Sequence, residues 1–265
     1  MSIGYACLAQ AVPDTDIKKC LIKNANPQRL RELIRSNLDA LLNMVEYNIS
    51  NGIRLYRVSS DIIPFASSPV NTIPWADEFK DSLALIGDRI RHSGMRVSMH
   101  PGQYTVLNST NEKIADAAYA ELDYHALFLD SLGVDASHKL VLHIGGVYED
   151  KAAASARFIQ RFQALPERVR RRLVIENDDR SYNISDVLAI SARTNIPVVF
   201  DNLHHLANPP DWSTPQEEWI TACASTWGQP DGRQKIHYSQ CDPDRKPGAH
   251  SATIRIDEFM DFYDC

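Results

Sequence analysis

The 265-residue chain is poor in cysteine: Cys7, Cys20, Cys223, Cys241 and Cys265 are odd in number, scattered, and form no CxxC pair. That spacing speaks against a disulfide framework and against a cysteine-ligated zinc site, and it fits a reducing, intracellular setting. No apolar run approaches the roughly 20 residues needed to cross a bilayer. The opening MSIGYACLAQ lacks the basic segment and long apolar stretch of a signal peptide. A cytoplasmic protein without membrane contact is the expectation. Positive charge is also scarce. The 28 Lys and Arg are outnumbered by 34 Asp and Glu, for a net charge of −6, which argues mildly against a partner bound through a broad basic face. No Gly/Ser-rich linker divides the chain, and no GxGxxG fingerprint follows the first apolar run, which weakens a dinucleotide-binding reading.

What is present is alternation. Short apolar runs (Ile3 to Cys7, IRLYRVS, MRVSMH, HKLVLHIGG, RLVIEN, IPVVFD, KIHYS) alternate with longer segments of helical periodicity, beginning with Pro27 to Tyr47 and ending with IDEFMDFY. Asn51-Gly52 closes the first helix. Strands that are apolar throughout suit a parallel sheet covered on both faces. The expected class is α/β: a (β/α)8 TIM barrel spanning 1–265 as a single domain, with an open doubly wound sheet as the alternative. Only seven strands are found. An eighth would follow the last helix, where the sequence ends, so the expected domain is C-terminally incomplete.

In a parallel barrel, functional groups gather at the C-terminal ends of the strands. Five strand ends carry a metal-binding type of residue: His100, His143, Glu176, Asp201 and His237. Two further histidines extend the set, His204 in DNLHH and His250 on the loop after the seventh strand. Neutral imidazole with carboxylate suits zinc, manganese or iron. Seven N and O donors exceed what one ion takes, so two or three divalent ions are expected, with Glu176 and Asp201 placed to bridge them. Such sites commonly hydrolyse phosphate esters. Arg245 and Lys246 in DPDRKPGAH lie on the same side and would meet phosphates. The other basic run, RVRRRL, precedes a strand and reads as a solvated face. His92, His125, His138 and His205 read as solvated or structural, and Asp178 and Asp179 as a loop or helix-start pair.

The segments GYACL, IPFASSP, SMHPGQY, LVLHIGG, IENDDR, VVFDNLHH and DPDRKPGAH, in that order from Gly4 to His250, resemble the UV damage endonucleases. The resemblance implies a metal-loaded barrel, with manganese foremost and zinc or magnesium as alternatives. It implies a monomer that incises damaged double-stranded DNA immediately 5′ of a photoproduct or other lesion, associated with the nucleoid when acting. On that resemblance His100, His143, Glu176, Asp201, His204, His237 and His250 are metal ligands. Glu176, Asp201, His237 and Lys235 carry the catalysis, Lys235 as a lysine open to carboxylation. Gln103 and Tyr104, on the turn made by Pro101-Gly102, become a probe inserted at the lesion, with Tyr5 as a second wedge. An aromatic ring replaces a lost stacking partner, and an amide bonds exposed base edges.

Two departures from the family pattern stand out. The final strand with its bridging glutamate is missing, and Glu258, in the last helix pattern, does not replace it. Ser68 stands where members often have a histidine. Other readings remain open: an AP endonuclease or sugar isomerase on the same barrel, or an inactive truncated barrel that binds lesions without cutting.

Overall fold

The structure, a computed structural model, describes residues 2–9, 11–245 and 249–264. The strands are β1 (Gly4–Ala6), β2 (Leu55–Val58), β3 (Arg96–Met99), β4 (Lys139–His143), β5 (Leu173–Glu176), β6 (Val198–Asp201) and β7 (Ile236–His237). The helices are α1 (Pro27–Ser50), α2 (Trp75–Glu78), α3 (Lys80–Ser93), α4 (Glu112–Ser131), α5 (Lys151–Ala164), α6 (Glu167–Arg170), α7 (Ile184–Thr194), α8 (Asn202–Ala207), α9 (Gln216–Ala224) and α10 (Ile256–Asp264). Neighbouring strands follow chain order. Among the described residues no strand follows β7.

The chain folds as two compact units. The first comprises Met1–Thr105, Asn111–Leu140 and Leu165–Arg172. In it β1, β2, β3 and the start of β4 pair in parallel, with Tyr56 beside Val97 and Met99 beside Leu140. Its longest helix, α1, starts where Asn26 caps it by accepting the Arg29 N–H at 3.0 Å, with Pro27 in the first turn. Helix α1 ends at Asn51, and Gly52 takes a φ of 69°. Leu30, Leu33, Ile34, Leu38, Leu41, Met44 and Val45 form its buried stripe, the 3.6-residue periodicity visible in the sequence.

The basic run RVRRRL is not simply a solvated face. Arg168, Arg170 and Arg171 pair with acids on the surface, but Arg172 is only 1% exposed. Its guanidinium donates to Asp130 Oδ1 at 2.6 Å, and to the carbonyls of Val134 at 2.8 Å and His138 at 3.1 Å. Five rigid donors satisfy a whole loop of backbone acceptors that burial would otherwise leave without partners. His138, beside it, is structural as expected: its Nδ1 accepts the Val97 N–H at 3.0 Å, and burial pushes its pKa down to about 4.

The second unit comprises Val106–Thr110, Val141–Ala164 and Leu173–Cys265. Here β5, β6 and β7 are parallel neighbours, with Glu176 beside Val199 and Asp201 beside His237. Val141, Val174 and Val199 form a fully buried cluster against which Trp227 packs, and the Trp227 indole N–H donates to the Val198 carbonyl at 2.8 Å. Helix α7 opens with a reciprocal capping box between Asn183 and Asp186. The strand expected over KIHYS shortens to Ile236–His237, because the Ser239 N–H leaves the ladder for the Asn202 side chain.

Removing the Arg172 guanidinium strands buried acceptors and Asp130. Arg172→Met should therefore destabilise the protein by about 3–5 kcal/mol, read as a lower urea midpoint; a midpoint equal to wild type would show the interaction to be dispensable.

Candidate metal centre

Parallel pairing brings the last residues of adjacent strands side by side, and in the second unit those residues are polar. Glu176 ends β5, Asp201 ends β6, His237 ends β7 and His143 ends β4. Glu176 is 1% exposed. One of its carboxylate oxygens meets His237 Nδ1, and the other lies 3.6 Å from His143 Nε2. Asp201 is also buried, and it caps α8 by accepting the His204 N–H at 2.9 Å. The cap swings His204 back over the strand ends. Its ring centroid lies 5.4 Å from that of His143 and 6.3 Å from that of His250. Glu176, Asp201 and His204 each offer a ligand atom within 4.8 Å of the others.

The residue after Glu176, which sequence reading passed over, organises this arrangement. The fully buried Asn177 donates from Nδ2 to the Asp201 carbonyl at 3.0 Å and accepts the Asp201 N–H at 2.9 Å. Its own carbonyl lies 3.0 Å from His204 Nδ1. A carbonyl only accepts, so His204 carries its proton on Nδ1 and presents Nε2 as a lone-pair donor, the state a metal ligand requires. Asn202 does similar work between strands, bonding both the carbonyl and the N–H of Ser239 at 3.0 and 2.8 Å. An amide directly after a strand-end acid was the signal for both.

Electrostatics agree with a cation site. Burial, together with the nearby charge of Glu176, pushes the Asp201 pKa up to about 7. Two adjacent buried carboxylates beside imidazoles form a donor set that a divalent ion fits and relieves.

The remaining expected residues are placed as follows. Lys235 is buried immediately before β7. Arg245 is exposed and donates its backbone N–H to Asp242. Lys246 lies outside the described residues. In the first unit, His100 directly follows β3 and its ring Nδ1 lies 3.1 Å from the Pro101 carbonyl. Gln103 and Tyr104 are exposed on the loop beyond it, Tyr104 to 68%. The Tyr104 ring lies against Gly102, where any Cβ would collide with it. Its hydroxyl donates to Glu121 Oε1 at 3.2 Å, and Ser67 donates to the other oxygen at 2.5 Å. Burial of the hydroxyl, then the Glu121 charge, pushes its pKa up to about 12. His125, expected to be solvated or structural, is fully buried under Glu121. Ser67, Ser68 and Tyr104 line one cavity of about 280 Å³. Tyr5 behaves differently from Tyr104: its ring lies 5.1 Å from that of Tyr56 and its hydroxyl is buried.

Comparison with known proteins bears directly on this arrangement. The family described as UV-endonuclease UvdE matches residues 2–265. The chain belongs to that family. A UV DNA damage endonuclease of Clostridium perfringens is 43% identical over 265 residues, covering 100% of this chain and 64% of that protein. One from Bacillus cereus is 33% identical, covering 99% of this chain and 84% of that protein. The UvdE-family chain thus spans just under two thirds of the first relative's length. The solved structure of SacUVDE superposes with a TM-score of 0.95 at 37% identity, covering 100% of this chain and 89% of that one. A D-psicose 3-epimerase matches with a TM-score of 0.54 at 14% identity, covering 76% of this chain and 68% of that one, a likeness of fold alone. These matches establish the TIM-type α/β class, here with seven described strands.

The raised pKa of Asp201 makes cation binding at this cluster an expected function of pH. Its folded pKa of about 7 exceeds the ordinary carboxylate value of 3.8. The stability held by its neutral form is complete below about pH 4 and is lost as pH rises through about 7. A cation pairs with the ionised form and reverses that loss. In melts from pH 5 to 8 the metal-free Tm should fall as pH rises, while the rise in Tm on adding manganese should grow, by about 2–4 °C per kcal/mol. A manganese-induced rise equal at pH 5 and pH 8 would contradict this coupling.

Proposed function

We propose that the chain is a metal-dependent DNA repair endonuclease, cutting damaged duplex DNA on the 5′ side of UV photoproducts and other lesions. The observation that carries this reading is the cluster of buried carboxylates and imidazoles at neighbouring strand ends in a UvdE-family chain. Glu176 and Asp201 would bridge ions, with His143, His204, His237 and His250 as further ligands. His100 joins the set on the family resemblance. Lys235, buried before β7, is proposed as an additional catalytic group, in carboxylated form. When bound, two or three divalent ions, with manganese foremost and zinc or magnesium as alternatives, supply Lewis acidity toward a phosphodiester.

The chain's own residues do the rest. Asn177 orients Asp201 and His204. Arg245 and Lys246 contact backbone phosphates. Their positive charge, with that of the ions, offsets the net −6 where it matters. Gln103 and Tyr104 enter the duplex, where a photoproduct is already poorly stacked and costs less to open than normal DNA. Tyr5 is proposed as a second contact. No helix among the described residues is long and apolar enough to cross a membrane. The proposed setting is the cytoplasm, at the nucleoid, with the protein acting as a monomer.

The test is incision of a labelled duplex carrying one cyclobutane dimer, with manganese, beside the undamaged duplex. A single cut 5′ of the dimer, lost by at least about 100-fold in Glu176→Gln, is expected; equal cutting of both duplexes, or none, would refute the proposal. Tyr104→Ala should keep manganese binding but lower the preference for damaged over undamaged duplex by roughly 10-fold or more. An unchanged preference would remove Tyr104 from lesion recognition.

A further inference from the structure

The loop between β6 and α9 builds a second feature that the metal cluster does not use. Successive residues of a helix point about 100° apart, so when His204 turns to the cluster, His205 turns elsewhere. Its ring packs 5.1 Å from that of Phe200 and it is 6% exposed, with Nδ1 buried and lacking a hydrogen-bond partner. His205 lines a cavity of about 260 Å³ together with Leu206, Asp211, Trp212 and Glu217. Trp212 is 82% exposed and Leu206 is 58% exposed. Two large apolar side chains open to water beside one cavity form the kind of patch found at binding surfaces. The loop that carries Trp212 is turned by Asp211, which accepts the N–H and hydroxyl of Ser213 at 2.8 and 2.9 Å, and those of Thr214 at 2.7 and 3.1 Å.

We propose that this cavity binds an unpaired nucleobase of the DNA strand being cut, stacked on Trp212, with base edges facing His205 and Glu217. The proposal rests on the endonuclease reading above. Three observations select the occupant. The carboxylates of Asp211 and Glu217 disfavour a phosphate, and that of Glu217 can accept from an exocyclic amino group, as carboxylates do from cytosine N4. The flat exposed indole suits a planar ring. Finally, His205 of the cavity follows His204 of the cluster in the chain, and the proposal has one strand reach both.

The test uses the full chain loaded with manganese, titrated with hexameric dC and dT oligonucleotides and followed by tryptophan fluorescence. Wild type should be quenched and bind dC more tightly than dT. Trp212→Ala should weaken dC binding roughly 10- to 100-fold, Trp212→Phe should retain most of it, and Glu217→Gln should erase the difference between dC and dT. If wild type incises the dimer duplex but Trp212→Ala binds dC equally well, the base pocket is refuted while the endonuclease reading stands. A change of oligomeric state in Trp212→Ala with unaltered dC binding would refute it in favour of a protein contact. If wild type neither binds the oligonucleotides nor cuts the dimer duplex, both readings fall.

Discussion

A carboxylate that is 1% exposed at the end of a strand is the constraint around which the second unit is arranged. Burying Glu176 costs several kcal/mol unless its charge is answered. The imidazoles of His237 and His143 face its two oxygens, and the parallel register sets Asp201 beside His237 at the end of the next strands. Adding a second buried acid to the first is unfavourable by itself, and the pKa of Asp201 is raised by its own burial first and by the charge of Glu176 second. A divalent cation would relieve the conflict, so the features that strain this site are those that favour a cation.

The scaffold that holds this conflict in place is ordinary packing and capping. The branched side chains of Val141, Val174 and Val199 fix the strands against one another, and Asn177 and Asn202 lock the loops that leave them. Such outer contacts decide which nitrogen of His204 bears the proton, and hence whether it can ligate at all. In the first unit the same economy holds Tyr104. One buried glutamate, Glu121, accepts hydrogen bonds from the hydroxyls of Tyr104 and Ser67, while Gly102 makes room for the ring. An aromatic that is 68% exposed is thereby kept in one place without being buried.

Much of this was legible in the residues. The alternation of apolar runs and amphipathic segments has a direct cause, since each period reports which face a local element must bury, and α1 and the seven strands lie where those periods place them. The strand-end acids and histidines could be read for a related reason: in parallel strands, position at a C-terminal end is a local property. RVRRRL misleads at Arg172 because burial of an arginine depends on carbonyls that only the folded loop between α4 and β4 presents. Asn177 escapes a linear reading because its partners, Asp201 and His204, are 24 and 27 residues away.

The sequence by itself therefore determined the α/β class, the order of elements and the chemical types gathered at the strand ends, all consequences of periodicity and position along single segments. Tertiary structure alone decided which acid is strained, which imidazole nitrogen is available, that Tyr104 is open while Tyr5 is packed, and that His205 and Trp212 share a cavity. Those properties depend on desolvation and on atoms approaching across long stretches of chain, and neither quantity exists until the strands have paired.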